Sequence, residues 1–318
     1  METYQIILIA LAALAGGAIL WIAGTVYVFL SAMRRVKKPL PPISELPSSR
    51  PFADRMRADV KAGEALPHEE FSITSYDGLR LCARYIPAPG GQARATVLLE
   101  HGYRGRAIAD FACVFSYYRS RGYALLIPDQ RAHGKSEGKY ITLGLRERFD
   151  CRDWANLLSE KFPGRPIILD GVSMGCSTVL MASELELPPE VKLIVADCGF
   201  TSPYAITDHV LSEYMHIPRL LHPPMLAIAS LVSRRIAGYG LREVSTVDAL
   251  AKNRIPVLFA HGDADRFVPP EMTRQNFAAC KAPCELLISP GARHGMSFLV
   301  SEEEYAVLIS KMLDRYVG

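Results

Sequence analysis

The sequence has no disulfide framework: its seven cysteines, at positions 82, 113, 151, 176, 198, 280 and 284, are odd in number and irregularly spaced. Cys280 and Cys284 lack the second pair that a zinc site of this type needs. Apart from the run Arg34, Arg35, Lys37 and Lys38, positive charge is not gathered on one stretch, because 36 Lys and Arg are scattered among 33 Asp and Glu for a net charge of +3. A nucleic-acid surface would need a basic patch, so no nucleic-acid partner is expected. No glycine-rich phosphate loop, no metal-ligand cluster and no internal repeat is visible, so no cofactor and no metal are expected. What remains is an ordinary globular composition, 49% hydrophobic and 22% charged, in 318 residues that can bury one large α/β core.

Charge is also missing from one long stretch. Between Ile6 and Ala32 no residue is ionisable as Asp, Glu, Lys or Arg, and most are aliphatic, glycine or aromatic. A helix of that length reaches roughly 40 Å, more than the ~30 Å of a hydrocarbon core. A cleaved signal peptide fits poorly, since no positive charge precedes the run and the run exceeds a usual h-region. Residues 1–33 are therefore expected to form a single transmembrane anchor. Arg34, Arg35, Lys37 and Lys38 follow it at once, against the single acid Glu2 before it, which predicts that the rest of the chain lies on the cytoplasmic side. Free thiols agree with a reducing compartment. Residues 34–66 read as a basic, proline-rich linker with a short amphipathic stretch at its end, and 67–318 as the folded domain.

Alternation starts at Phe71. Residues 71–76 and 79–85 flank Asp77-Gly78 and predict a β-hairpin. Beyond Pro89, short apolar runs at 96–99, 124–128, 166–169, 192–196, 256–260 and 285–288 alternate with helix-length segments at 108–121, 145–162, 177–185, 271–280 and 302–316. The runs show little polar alternation, as in strands buried on both faces of a mostly parallel sheet. The fold class is α/β, with helices on both faces of a wound sheet. The interval 201–250 is too long for a crossover and reads as a helical insertion.

Gly171-Val172-Ser173-Met174-Gly175 lies where a strand meets a helix. A sharp turn there exposes a serine hydroxyl in a strained backbone, and the helix N-terminus supplies free amides for a developing oxyanion. A serine becomes nucleophilic only with a base beside it. Of eight histidines, His294, on the loop between the last strand and the last helix, is placed to reach over the sheet edge. His101 and His261 open His-Gly turns and read as structural. Asp263 and Asp265 are both candidates to orient the imidazole. The amides of Met174 and Tyr103 are the candidate oxyanion donors.

In the order HGYRG (101–105), PDQRAHGKSEG (128–138), GVSMG (171–175), HGDADRFVP (261–269) and GARHG (291–295), these blocks resemble the α/β-hydrolase superfamily, particularly its serine-aminopeptidase-like and esterase-like hydrolases. The resemblance runs from about residue 71 to the C-terminus. It implies that Asp265 rather than Asp263 is the acid, that 201–250 is a cap, and that Arg131 and His133 are supporting residues. Cys176 departs from the Gly or Ala common at that position, and its small size predicts no loss of function. Serine as nucleophile argues against a haloalkane dehalogenase or an epoxide hydrolase.

The expected activity is hydrolysis of a carboxylic ester or related acyl bond through an acyl-enzyme, with Ser173, His294 and Asp265 as triad. Acyl transfer, peptidase action, or a catalytically inactive membrane-tethered scaffold are the alternatives. Met225, Leu226, Ile228 and Leu231 in the cap, with the anchor, point toward a small-molecule or lipid-like acyl substrate, although the same residues could instead pack the cap onto the sheet.

Overall fold

The computed structural model describes residues 3–36, 41, 43–45 and 47–318. Its centre is an eight-stranded sheet: β1 (Glu69–Thr74), β2 (Arg80–Ile86), β3 (Thr96–Glu100), β4 (Ala124–Asp129), β5 (Ile167–Val172), β6 (Val191–Asp197), β7 (Val257–Gly262) and β8 (Cys284–Ser289). The spatial order is β1-β2-β4-β3-β5-β6-β7-β8; β1 pairs antiparallel with β2 and β2 with β4, and every other pairing is parallel. The wound α/β sheet predicted from the strand rhythm is the one observed.

Side-chain alternation divides the strands between two cores. Val97, Leu99, Leu125, Ile168, Leu193 and Val195 face one side, against Tyr118, Ile309 and Met312. Leu98, Leu126, Leu169, Ile194 and Phe259 face the other, against Trp154, Val179 and Leu180. Burial on both faces is why these strands carry no polar alternation. From β3 the chain steps to β4 on one side, then returns to place β5 on the other. The crevice at the C-terminal ends of β3 and β5 is thus the switch point of the sheet, where ligands bind in open α/β folds.

The hairpin closes through Asp77-Gly78, where Gly78 has φ +86° and Ser75 N–H donates to Leu79 O at 2.8 Å. The helix expected over 108–121 is broken in two, Ala107–Asp110 and Val114–Ser120. Cys113 between them adopts φ +72°, with its N–H turned out to the carboxylate of Asp59. Asp59 belongs to the helix Ala53–Glu64, the amphipathic stretch before the hairpin, which buries Met56 in the core and joins Arg55 to Glu302 in a bidentate pair at 2.6 and 2.7 Å. That pairing could not be read from the sequence, because both partners sit in segments that look like surface. Lys37, Lys38, Pro39, Leu40, Pro42 and Leu46 lie outside the described residues, and the proline-rich stretch forms short 3-10 turns at Ile43–Glu45 and Pro47–Phe52.

The insertion after β6 holds helices Pro203–Glu213, His222–Ala237 and Thr246–Leu250. Ser202 caps the first and Ser245 the last, each side chain accepting from a backbone N–H of the first turn.

The N-terminal helix, Thr3–Met33, has 31 residues and is the only one among the described residues long and apolar enough to cross a membrane. Its first turns expose Ile6, Leu8, Leu14 and Leu20, the last at 75%. From Trp21 onward it packs against the body: Phe29 and Met33 share a cluster with Met225, Leu226 and Ala229 of the insertion.

Candidate active site

β5 delivers Ser173 into a turn with φ +57° and ψ −117°, a conformation costly for any residue with a Cβ. Ser173 N–H donates to Asp197 O at the end of β6 (2.9 Å), and the helix Met174–Ala182 starts at once. The turn is this tight because two glycines permit it. A Cβ on Gly175 would stand 1.8 Å from Glu100 O, and one on Gly171 2.3 Å from Gly175 O. Gly175→Ala is therefore expected to destabilise the fold by about 3 kcal/mol, since backbone of β3 must move; a thermal unfolding midpoint within a degree or two of the parent protein would contradict this packing.

His294 Nε2 accepts from Ser173 Oγ at 2.9 Å, and His294 Nδ1 donates to Asp265 Oδ2 at 2.6 Å. The carboxylate of Asp265 is saturated. Its Oδ1 accepts from Phe267 N–H (2.8 Å) and Val268 N–H (3.0 Å), and its Oδ2 also takes His261 Nε2–H at 3.1 Å. Burial opposes ionisation of Asp265, but the hydrogen bonds from His261 and His294 outweigh it and hold the carboxyl well below the usual carboxylate range. Asp263, the other candidate, faces away and accepts from Gly291 N–H at 2.6 Å, bracing the loop that carries His294.

His261, structural by its His-Gly turn, also contacts Asp265. Both partners of its Nε2, Asp265 Oδ2 and Val268 O, are acceptors, so the proton sits there and Nδ1 accepts from Thr273 Oγ1 at 2.6 Å. Its His-Gly setting gave no signal of this, because the link depends on the turn bringing position 265 back under the ring. Phe267 packs edge-on against His294, with ring centroids 5.0 Å apart.

Tyr103 and Met174 line the same cavity as Ser173. Met174 opens its helix, so its N–H belongs to the first turn, which has no helical acceptor. The loop bearing Tyr103 is held by Asp110, whose Oδ2 accepts from Gly102 N–H at 2.9 Å; burial pushes the Asp110 carboxyl up to about 6, against the pull of that bond. His101 and His133 are braces. His101 Nε2 accepts from Gln130 N–H and His133 Nε2 from Arg104 N–H, each at 3.1 Å. Burial first, and His133 beside it, push His101 down to about 3, so it stays a neutral acceptor. Arg131 joins Asp150 by two bonds of 2.7 Å and Asp77 by bonds of 2.9 and 3.2 Å, tying the hairpin turn to the helix Glu147–Lys161. Cys176 is buried beneath Gly199, where a Cβ would meet its sulfur at 2.3 Å; burial pushes its thiol up, so it packs as a small neutral group.

One metal-compatible group occurs among the described residues: Cys198, Asp265 and His294 bring ligand atoms within 4.8 Å. Two of those atoms are already bonded to each other, and burial pushes the Cys198 thiol well up, so the set suits proton transfer better than thiolate ligation.

The cavity at Ser173, of about 230 Å³, is walled almost wholly by apolar side chains. Met225 and Leu226 of the insertion lie in its lining, while Leu231 is 62% exposed and lies outside it. Thr25, Val28, Phe29, Ala32 and Met33 of the N-terminal helix also line it, which nothing in the sequence foretold.

A family model described as serine aminopeptidase, S33, matches residues 91–237. The chain is 31% identical over 221 residues to the uncharacterized protein YqkD of Bacillus subtilis (strain 168), covering 69% of this chain and 71% of that protein. It is 25% identical over 253 residues to the uncharacterized protein YfhR of Escherichia coli (strain K12), covering 77% and 79%. In three dimensions it resembles the Pyrococcus furiosus esterase Pf2001 with a TM-score of 0.62, at 23% identity over 81% of this chain and 94% of that one.

Proposed function

The chain belongs to the α/β-hydrolase superfamily, and from that premise we propose that it is a serine hydrolase cleaving a carboxylic ester, with Ser173, His294 and Asp265 as its triad. The observation that carries this reading is the unbroken chain of bonds from Ser173 Oγ through His294 to Asp265, at 2.9 and 2.6 Å, opening on an apolar cavity. The esterase resemblance supports the choice of ester.

Ser173 Oγ attacks the ester carbonyl as His294 Nε2 takes its proton. The resulting imidazolium lies beside Asp265, which stays ionised because it accepts so many hydrogen bonds. The oxyanion is met by the N–H groups of Met174 and Tyr103, each contributing about 3 kcal/mol to lowering the barrier. His294 returns the proton to the departing alcohol, leaving an acyl group on Ser173. A water, deprotonated by His294, then attacks the acyl carbon; carboxylic acid leaves and Oγ regains its proton.

The N-terminal helix acts in this reading as a single-pass anchor, with the hydrolase body on the cytoplasmic side. Arg34 and Arg35 at its end support that side. Retention rather than cleavage is supported by its packing: Tyr103 and Arg104 bond to its last carbonyls, contacts that cleavage would remove.

A fluorophosphonate tests both statements. Ser173 Oγ displaces fluoride from phosphorus, so the probe labels folded protein in lysed cells. A membrane-impermeant version leaves the protein unlabelled in intact cells. Failure to label folded protein rules out the triad reading, and labelling of intact cells by the impermeant probe reverses the orientation.

A further inference from the structure

The N-terminal helix is longer than a membrane requires. Thirty-one residues at 1.5 Å each reach about 46 Å, and a ~30 Å hydrocarbon core uses about twenty of them. The surplus of roughly ten residues, near 24–33, falls in the same stretch that lines the cavity at Ser173.

That end of the helix is built into the site. The last turn of any helix leaves backbone carbonyls without helical donors. Here Ser31 O accepts from Arg104 Nη2 at 2.6 Å, and Ala32 O from Arg104 Nη2 at 2.9 Å and from the Tyr103 hydroxyl. Met33 O accepts from Ile141 N–H at 2.7 Å. The guanidinium of Arg104 also sits where the helix dipole favours a cation. Tyr103 and Arg104 belong to the HGYRG loop, so the carbonyl end of the helix holds the loop that faces Ser173. Val28 and Met215, each more than a third exposed, line the cavity as well, so it reaches the surface beside the helix.

Resting on the hydrolase reading above, we infer that the N-terminal helix is part of the substrate site: residues 25–33 form one wall of the pocket for the aliphatic acyl chain of the ester. Thr25, Phe29 and Met33 face Met225, Leu226 and Ala229 across it, and neither side offers a charge. A peptide or a sugar ester would leave its polar groups unpaired against such walls. An alkyl chain leaves none, and each methylene that enters raises kcat/KM about fourfold until the pocket is full.

The test uses the full chain in detergent or nanodiscs, with p-nitrophenyl esters from acetyl to decanoyl. The parent protein is expected to prefer decanoyl strongly. Thr25→Trp, which fills the helix side of the cavity, lowers the ratio of decanoyl to acetyl kcat/KM by about tenfold or more. The same ratio measured with the esters carried in phosphatidylcholine vesicles falls as well, because the pocket wall is the same whether the chain comes from water or from a bilayer. Because Thr25→Trp risks misfolding, the parent protein is also labelled with a long-chain alkyl fluorophosphonate bearing a diazirine near its far end. On irradiation the diazirine loses dinitrogen, and the carbene inserts into what it touches; crosslinks are expected in residues 21–33 and 222–237. Normal Ser173 labelling with crosslinks elsewhere, or an unchanged ester ratio in folded Thr25→Trp, reduces the helix to a tether and overturns the inference. A parent protein that neither labels nor hydrolyses any ester overturns the hydrolase reading itself, and this inference with it.

Discussion

Ser173→Ala lowers kcat for the best ester by about 10⁴- to 10⁶-fold while the protein remains folded. The size follows from the geometry. Among the described residues Ser173 Oγ is the one hydroxyl that both bonds to His294 and borders the cavity, so on the proposed mechanism its removal takes away the attacking atom and leaves the base with nothing to deprotonate but water. Amides near the cavity still polarise a carbonyl, which is why loss stops short of the uncatalysed rate. Alanine relieves no clash, since residue 173 keeps φ +57° with or without Oγ, and stability should change little. Steady-state rates with a chromogenic ester, beside a thermal melt, decide it. A variant within tenfold of the parent would mean that another group attacks.

Asp265→Asn costs about 10⁴-fold in kcat at neutral pH, whereas Asp263→Asn costs less than about tenfold. An amide at 265 presents a donor where His294 Nδ1–H and His261 Nε2–H both need an acceptor. His294 must then give up its Nδ1 proton to bond at all, and with the other tautomer Nε2 carries a proton and cannot take one from Ser173. The change at 263 loosens only the bond to Gly291 N–H. Both variants are measured in the same assay; equal losses would remove the distinction between the two carboxylates.

How much of this was legible in the sequence depends on the range of each contact. The strands were legible because burial on both faces leaves uninterrupted apolar runs, and β3 to β8 fall within a few residues of them. The strained turn at Ser173 was legible because it demands small neighbours, so Gly171 and Gly175 mark it. Between Asp263 and Asp265 spacing alone could not choose; the choice needs the turn that aims one carboxylate at His294 and the other at Gly291. The contact of His261 with Asp265 and that of the N-terminal helix with the cavity were not legible, for a related reason. A histidine under an aspartate and an apolar helix against a cavity leave no local pattern, because each contact joins parts of the chain whose own sequences are satisfied without it. The break at Cys113 was hidden likewise, its cause lying in Asp59 on a separate helix.

The bonds from Tyr103 and Arg104 to the carbonyls of residues 31 and 32 bear on how the protein is made. The helix that lines the cavity leaves the ribosome well before His294, and on the anchor reading proposed above it can enter a bilayer while the sheet is still unmade. An unfinished chain therefore has a wall without a base, and a finished chain left outside the membrane must leave Ile6 to Leu20 in water. On the proposed reading, the cavity is complete only in a chain whose N-terminal helix and sheet have both been made, so truncation at either end removes part of the site.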